Sequence, residues 1–381
     1  MPIFTGFVAI LSPYNCQRWD NNMKVKIMST KSRNYFLDNY KALLILLVVT
    51  GHFIEPCHTN NAFLEALKWI IFSFHMPAFI FISGFFSKKD MGFEKLIQKL
   101  VIPYFVYEFL YYFLYVFIIH KETGLYLNRP KFSLWYLMAL FFWRVLTPYV
   151  RKIPGNMFIA FTAGLLVGFT ELGNFFSIPR TLVFYPFFLA GYYFQESWFE
   201  ALRRHWKALT FGLSAFVALF LGLTALSGTE LTTFIFYGRY SYQDMNMPGI
   251  EGLLVRAGCY AISFLALFAL CAFIPRKQHF FSVLGVRTMP IYLFHGMIYS
   301  ALKETPLLKS INTPGETALL LVSCVALTFL LAGNLPTRFV NAVSSVQVSL
   351  PRLPKLPGSF KRPTRPGSFP FLTRFKKGMA P

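Results

Sequence analysis

The chain is poor in acidic side chains and in cysteine. Its 381 residues include 16 Asp and Glu against 37 Lys and Arg, and only 14% of all residues are charged, whereas soluble domains contain about a quarter. The five cysteines are odd in number and scattered, so they predict no disulfide framework. The sequence has no Gly-rich phosphate loop and no zinc-type Cys/His spacing, so we expect neither a P-loop enzyme nor a zinc protein.

Apolar side chains dominate instead: 55% of the residues are hydrophobic and 19% are aromatic. Long apolar runs recur between about residue 39 and residue 334, and ten of them suit helical membrane spans. They cover residues 39–57, 63–86, 100–119, 133–150, 156–172, 177–194, 207–226, 252–274, 282–302 and 314–334. We predict an all-α polytopic membrane protein with about ten transmembrane helices.

The formal net charge of +21 is spread over short loops and the C-terminal tail. This distribution favours a membrane topology over nucleic-acid binding, because short cytoplasmic loops carry an excess of Lys and Arg. If the N-terminus is cytoplasmic, every inside loop is basic. These loops contain Lys88, Lys89, Lys95, Lys99, Arg151, Lys152, Arg203, Arg204, Lys207, Arg276 and Lys277. Both termini are therefore predicted to be cytoplasmic.

Composition divides the chain into three parts. Residues 1–32 form an N-terminal extension that is predicted to be disordered, residues 33–335 form the membrane domain, and residues 336–381 form a basic, Pro-rich cytoplasmic tail. The tail alternates Pro with Lys and Arg, and such a segment builds no core. We expect it to lie extended along anionic lipid head groups.

The first apolar segment carries ionisable side chains, which are costly in hydrocarbon and therefore mark candidate functional positions. In a helix, Lys41 and His52 lie on one stripe, with Asp38 and Glu55 close to it. Lys41 and His52 are about 16 Å apart along the helix axis, so they are expected to act at different points of one path. Histidine titrates near neutral pH and suits a general base, and His52 is the first candidate.

Two further histidines lie inside apolar segments. His75 is in the second segment beside Pro77, which is expected to kink that helix, and His295 is in the ninth. A single buried histidine is more often a structural group than a catalyst. Three of them at membrane depth, with Arg256 also near a span, favour a functional site.

The segment that follows the second span allows two interpretations. Lys88, Lys89, Lys95 and Lys99 lie there. They suit a topology signal that contacts lipid head groups, and they equally suit the phosphates of a cytosolic nucleotide-bearing donor. Just before them, Gly84 is expected to let a neighbouring helix approach closely.

Several motifs occur in an order typical of one family. Lys41 and His52 form the pattern of a basic residue, ten residues and a histidine. The other motifs are Phe-His-Met-Pro (74–77), Ser-Gly-Phe-Phe (83–86), Lys-Leu-Val-Ile-Pro-Tyr (99–104), Leu-Trp-Tyr-Leu (134–137), Tyr-Pro-Phe-Phe-Leu-Ala-Gly-Tyr (185–192) and Ile-Tyr-Leu-Phe-His-Gly (291–296). Over roughly residues 33–335 the chain resembles the acyltransferase 3 family of integral membrane acyltransferases, and within it the fucose 4-O-acetylase-like branch. The family more often has Arg at the position of Lys41.

The resemblance implies a membrane O-acyltransferase of the bacterial cytoplasmic membrane. Such an enzyme moves an acetyl group from acetyl-CoA to a sugar hydroxyl of a cell-envelope polysaccharide or its precursor, and no metal is expected. His52 would be the base, with Asp38 pairing with Lys41. His295 and Arg256 would bind the acceptor or stabilise the developing oxyanion. The predicted catalytic residues are His52, Asp38, Lys41 and His295, the substrate-binding residues are His75, Trp135 and Arg256, and the donor-binding residues are Lys41, Lys88, Lys89 and Lys99.

A carrier or flippase for a glycan or a lipid-linked precursor is the alternative, because intramembrane charges are equally expected along a transport path. Carriers often consist of two repeated halves, and no convincing repeat is found, which disfavours this interpretation.

The loop at residues 227–250 allows two interpretations. Its aromatic side chains, with Arg239 and Asp244, suit a bound sugar or an interfacial aromatic belt.

Overall fold

The computed structural model describes residues 34–57, 61–89 and 91–346. Within these residues every regular element is a helix, which confirms the predicted all-α class. The helices are α1 (Tyr35–Ile54), α2 (Ala62–Phe86), α3 (Phe93–Leu96), α4 (Ile102–Phe113), α5 (Trp135–Val150), α6 (Asn156–Leu166), α7 (Ile178–Tyr193), α8 (Trp198–Arg204), α9 (Trp206–Ser227), α10 (Ile250–Cys271), α11 (Ser282–Val286), α12 (Thr288–Leu302), α13 (Pro306–Lys309), α14 (Pro314–Leu331) and α15 (Asn334–Ser344). The predicted extension at residues 1–32 lies outside the described residues.

Six helices of the described part are long and apolar enough to cross a membrane. They are α1, α2, the continuous helix Phe93–Ile118, α9, α10 and α14. The four other predicted spans contain α5, α6, α7 and α12, which have between 11 and 16 residues, whereas a perpendicular span needs about 20. The helices thus support a multi-pass membrane protein, while the number of crossings and the orientation of the termini stay predictions.

Helix α1 is central to the fold. Thirteen of its 20 residues are buried, and it packs against α2, α11, α12 and α14. Its first turn is fixed by Asn39, whose side-chain nitrogen donates to the carbonyl oxygens of Pro275 and Lys277 at 2.9 Å each. Helix α9 is the opposite case, because Thr224 is its one buried residue. The apolar outer face of α9 is therefore suited to contact lipid.

Helices α2 and α7 lie backbone to backbone. A Cβ atom added at Gly84 would be 2.0 Å from the carbonyl oxygen of Phe188, and one added at Gly191 would be 1.8 Å from that of Phe81. Only a residue without a side chain fits at either position. The predicted close approach at Gly84 is confirmed, and it fixes the position of α7 relative to α2.

Pro77 lies inside α2 without ending the helix. Proline has no amide hydrogen, so the carbonyl oxygen of Ser73, four residues earlier, loses its helical partner. The hydroxyl of Ser263 on α10 donates to that oxygen. The interruption next to His75 is therefore compensated by a hydrogen bond that also joins α2 to α10.

The first part of the predicted tail is helical. Helix α15 covers Asn334–Ser344 and packs against α12 and α4, where the ring of Phe339 lies 5.8 Å from that of Phe294. The Pro-rich remainder from residue 347 lies outside the described residues, so its predicted extended form stays a prediction.

Candidate active site

The end of α1 meets α12 at a pair of histidines. The imidazole rings of His52 and His295 stack with centroids 5.5 Å apart and planes 28° from parallel. Three aromatic rings surround His52: Phe132 at 4.7 Å, Tyr299 at 5.7 Å and Phe72 at 6.2 Å. Two of the predicted catalytic side chains, from segments far apart in the sequence, thus lie together in an aromatic pocket.

Glu55 is the carboxylate of this pocket. Its Oε1 accepts a hydrogen bond from the hydroxyl of Tyr237 at 2.7 Å and its Oε2 one from Tyr299 at 3.2 Å, and Oε2 also lies 3.9 Å from Nδ1 of His52. Burial acts to raise the pKa of Glu55, but His52, the Tyr237 hydroxyl and the charge of Lys68 together lower it to about 2. Glu55 is therefore ionised at neutral pH, and its charge favours a proton on Nδ1 of His52, which leaves Nε2 as the basic nitrogen.

The tautomer of His295 follows from its backbone contact. Its Nδ1 lies 3.0 Å from the carbonyl oxygen of Ile291, which can only accept, so Nδ1 carries the proton. His75 has the same arrangement with Ile71 O at 2.7 Å, and its ring lies 5.0 Å from Phe72. A neutral His295 therefore presents Nε2 as a hydrogen-bond acceptor, and in this tautomer that nitrogen cannot donate to an oxyanion.

Polar atoms without partners are concentrated around the two histidines. Four of the eight buried side-chain polar atoms that lack a hydrogen bond in the described part are Nδ1 of His52, Nε2 of His295, Oη of Tyr111 and Oγ of Ser133. Tyr111 reaches the backbone beside His295, because a Cβ atom added at Gly296 would lie 2.2 Å from its hydroxyl oxygen. Buried polar groups are nearly always hydrogen-bonded, so such a cluster is typical of a site that awaits a ligand.

Phe132 is held against His52 by a strained and anchored loop. Its φ is +42°, a left-handed conformation that is unfavourable for a large side chain. The preceding Lys131 bonds the carboxylate of Glu108 twice, from its backbone nitrogen at 3.1 Å and from Nζ at 2.8 Å. Both partners are buried, so this ion pair fixes the loop on α4 and sets the position of the Phe132 ring.

The predicted pair of Asp38 and Lys41 is present at the other end of α1. Lys41 Nζ lies 3.0 Å from Asp38 Oδ1 and 5.0 Å from the ring centroid of Phe86. At 1.5 Å per residue, Asp38 is about 21 Å along the axis from His52. The structure thus separates these two predicted catalytic residues from the histidine pair.

The same end of the molecule is basic. Lys88 donates to the carbonyl oxygen of Phe194, and Lys88, Lys89 and Lys99 are exposed. Lys89 and Arg144 line a cavity of about 140 Å³ between α2, α5 and α7. The cavity brings one of the predicted donor-binding lysines next to an arginine that sequence analysis did not single out.

Hydroxyl-bearing side chains connect this cavity to the histidines. Ser87 lines the cavity and donates to the carbonyl of Ser83, whose own hydroxyl is 2.6 Å from that of Tyr136. The Tyr136 ring lies 5.5 Å from that of Tyr292, which in turn is 6.1 Å from the ring of His295. This series of hydrogen bonds and ring contacts between hydroxyl-bearing side chains, the polar column, leads from the basic end to the aromatic pocket.

The predicted substrate-binding residues divide between two places. The first place is the aromatic pocket. The His75 ring contacts Phe72, which is one of the rings around His52, and Trp135 begins α5, three residues after Phe132. Arg256 is buried elsewhere: it donates to the carbonyl oxygen of Tyr240 at 2.9 Å, and its guanidinium lies 4.5 Å from the ring centroid of Tyr242. Among the described residues, no contact joins Arg256 to the histidine pair, and its contacts hold the loop before α10.

Sequence analysis missed several residues of the pocket as site residues. Glu55 stands out in the sequence as an ionisable residue, but no role is predicted for it. Tyr299 lies one helical turn after His295, and this spacing could have identified it. Tyr237 and Phe132 come from loops, where no helical periodicity signals a position. Within the described residues, no three His, Cys, Asp or Glu side chains form a group that could hold a metal ion.

Comparisons with known proteins agree with the motif order. The model of the Acyl_transf_3 acyltransferase domain matches residues 34–333. Nodulation protein NolL of Mesorhizobium japonicum is 24% identical over 306 residues, which is 71% of this chain and 78% of that protein. NolL of Sinorhizobium fredii is 24% identical over 308 residues, covering 70% and 78%. No solved structure matches the chain significantly. Since the domain match covers most of the chain, this protein belongs to the acyltransferase 3 family and is an acyltransferase.

Proposed function

We propose that the protein is a membrane O-acyltransferase that moves an acetyl group from acetyl-CoA to a sugar hydroxyl of a cell-envelope polysaccharide or its precursor. The observation that carries the proposal is the pairing of His52 with Glu55 and His295 in the aromatic pocket, where Nε2 of His295 and the hydroxyls of Tyr111 and Ser133 lack hydrogen-bond partners. A base, a carboxylate that orients it and unfilled hydrogen-bonding groups are the parts that acyl transfer to a hydroxyl needs.

In the proposed reaction, His52 takes the proton of the acceptor hydroxyl as the hydroxyl oxygen attacks the thioester carbonyl carbon. The C–S bond then breaks, and the proton passes from His52 to the departing CoA sulfur. Glu55 stabilises the imidazolium that forms between the two steps, because its charge lies 3.9 Å from Nδ1. His295 accepts a hydrogen bond from the sugar and orients it.

The oxyanion requires donors, and neutral His295 offers none. The hydroxyls of Tyr111 and Ser133 are buried without hydrogen-bond partners, and that of Tyr111 lies against Gly296, next to His295, so we assign them this role. This replaces the expected oxyanion role of His295 and Arg256.

The donor is proposed to enter from the basic end. Phosphates of CoA would contact Lys89 and Arg144 at the cavity mouth, together with the nearby Lys88 and Lys99, while the Asp38–Lys41 pair borders this end. The thin pantetheine arm would follow the polar column toward His52. The proposal places this end in the cytoplasm of a bacterium, with both termini inside and ten helices crossing the cytoplasmic membrane.

The test is release of CoA by the purified protein in nanodiscs, with acetyl-CoA labelled in its acetyl group and a mixture of envelope sugars. We expect sugar-stimulated release and labelled sugar from the wild type, and a loss of about 10²- to 10⁴-fold in His52→Ala. His279→Ala, which removes an exposed histidine outside the pocket, is the control and should retain full turnover.

Normal turnover in His52→Ala and in His52→Gln would refute the role of His52. If acetyl-CoA neither binds nor reacts with any acceptor, the donor assignment fails. Uptake of lipid-linked glycans into proteoliposomes would then test the alternative, a carrier or flippase.

A further inference from the structure

Arg180 is a buried cation at the start of α7. Its side chain is 8% exposed and its guanidinium lies 4.9 Å from the ring centroid of Trp135. Its hydrogen bonds are long: Nη1 donates to Oδ1 of Asn174 at 3.3 Å and Nε to the carbonyl oxygen of Tyr237 at 3.4 Å. The Nη2 atom makes no hydrogen bond among the described residues.

Arg180 has no carboxylate partner in the described part of the chain. The charged and titratable groups near enough to act on it are a second cation, Arg239, and the phenols Tyr237, Tyr240 and Tyr292. Asp244, the acidic residue of the neighbouring loop, accepts a hydrogen bond from the backbone of Ser241 instead. Arg239 is exposed, whereas Arg180 is buried. A buried charge is costly unless it is paired, so a buried guanidinium without a carboxylate partner indicates that the anion is supplied from outside.

The first turn of α7 adds further unfilled groups. Ser177 precedes the helix with φ of +52°, and Oγ of Ser177 and Oγ1 of Thr181 are buried without hydrogen-bond partners. Ser177 is three positions before Arg180 and four before Thr181, so its hydroxyl lies at the same end of the helix as both residues. The free amides and the dipole of a helix N-terminus also favour negative charge.

This cluster adjoins the proposed catalytic pocket. Arg180 contacts the backbone of Tyr237, whose hydroxyl binds Glu55, and Glu55 lies beside His52. Tyr237 therefore links Arg180, which bonds its backbone, to Glu55, which bonds its hydroxyl.

We propose that Arg180, with Arg239 and the first turn of α7, binds an anionic group, a carboxylate or a phosphate, of the acceptor sugar. This inference rests on the proposed function, since it takes the pocket at His52 as the place of acyl transfer. The Trp135 ring packs against the Arg180 guanidinium, and this gives the predicted substrate-binding tryptophan a positioning role. The acceptor is accordingly an acidic or phosphorylated sugar and not a neutral one.

The experiment compares three probes at constant ionic strength: methyl glucoside, methyl glucuronoside and glucose 6-phosphate. Binding is followed as thermal stabilisation of the protein in nanodiscs. We expect at least one anionic sugar to stabilise the wild type while the neutral glucoside does not, and the effective anion identifies the group. Arg239→Gln, an exposed change, should weaken this binding about tenfold, because a charge-assisted hydrogen bond is lost.

Arg180→Met should abolish the anion-dependent stabilisation. Arg180→Lys retains the charge and should show a weakened response, and it serves as the test if the Met variant does not fold. Lys309→Gln removes an exposed cation elsewhere and should bind like the wild type. Equal effects of the neutral and anionic sugars, no effect of either anion, or unchanged binding in the Arg180 and Arg239 variants would overturn the inference.

The binding measurement is repeated in His52→Ala. Anion-dependent binding there, with no acetyl transfer by the wild type, would refute the proposed function and leave the anion subsite standing. Acetyl transfer to neutral and anionic sugars alike would support the proposed function and refute the anion subsite.

Discussion

The Nδ1 atom of His52 lies 3.9 Å from Oε2 of Glu55, three residues further along the chain. Helix α1 ends between them at Ile54, and the backbone nitrogen of Glu55 donates to the carbonyl oxygen of His52 at 3.2 Å. This turn brings both side chains to one side, so the four residues from 52 to 55 contain both the proposed base and its carboxylate. The tyrosines that hold the carboxylate come from distant segments.

Replacing Glu55 by Gln should lower kcat by about 10²-fold or more, because His52 loses the charge that orients and stabilises its imidazolium. Glu55→Asp, which retains the charge, should be less affected. Burial alone would raise the pKa of Glu55, but its neighbours lower it to about 2, so the group stays ionised at every working pH. The kcat of the Gln variant is compared with that of the wild type at about pH 8, and equal values would contradict this role.

Gly296→Ala should impair both packing and turnover. The added Cβ would lie 2.2 Å from the Tyr111 hydroxyl and 2.6 Å from the Phe132 ring. We expect a loss of about 1–3 kcal/mol in the free energy of unfolding from overpacking, together with a lower kcat. Gly212→Ala is the control, since no atom lies within 4 Å of its Cβ position. Equal activity and equal Tm of the two variants would refute the close packing of the pocket.

Lys131→Met should destabilise the protein strongly. It leaves the fully buried carboxylate of Glu108 unpaired, which costs about 3–5 kcal/mol, whereas adding Glu108→Gln to the same chain should recover part of that loss. Turnover should fall as well, since Lys131 fixes the loop that holds Phe132 against His52. Thermal unfolding of the single and double variants measures this, and removal of the exposed Lys121–Glu304 pair, 3.8 Å apart, should leave Tm unchanged. An additive double variant would show that the pair is not coupled.

Lys89→Gln and Arg144→Gln should raise KM for acetyl-CoA while kcat is retained, because these groups line the cavity at the basic end and lie far from the histidines. The loss of one charge-assisted contact predicts about a tenfold increase. Lys207→Gln removes an exposed lysine at the start of α9 and should have no effect. A fall in kcat alone in either cavity variant would place the donor elsewhere.

Sequence patterns predicted the elements of this fold because apolar runs and their interruptions are local properties. A helix occupies each of the ten predicted segments. The pairing of Asp38 with Lys41 is predicted because an unpaired charge there would be costly, and the pair is present at 3.0 Å. Sequence patterns do not settle the number of membrane crossings. Four of the helices have only 11 to 16 residues, whereas a perpendicular span needs about 20.

The candidate site was harder to predict because half of it comes from loops. The histidines stood out as polar residues in apolar runs, yet their mutual stacking depends on how α12 packs on α1. No sequence pattern distinguishes Arg180, and its burial follows from the packing of Trp135 and Tyr237 around it. Phe132 reaches His52 through a left-handed φ that no periodicity predicts.

The reciprocal contact of Gly84 with Phe188 and of Gly191 with Phe81 has an evolutionary consequence. A mutation at one glycine cannot be compensated at the other, because each would push the same two backbones apart. The helix that would move, α7, carries Arg180, so we expect a side chain at either position to disturb the proposed anion subsite as well as the packing of α7 on α2. We expect natural selection to hold both glycines for the sake of specificity as much as for stability.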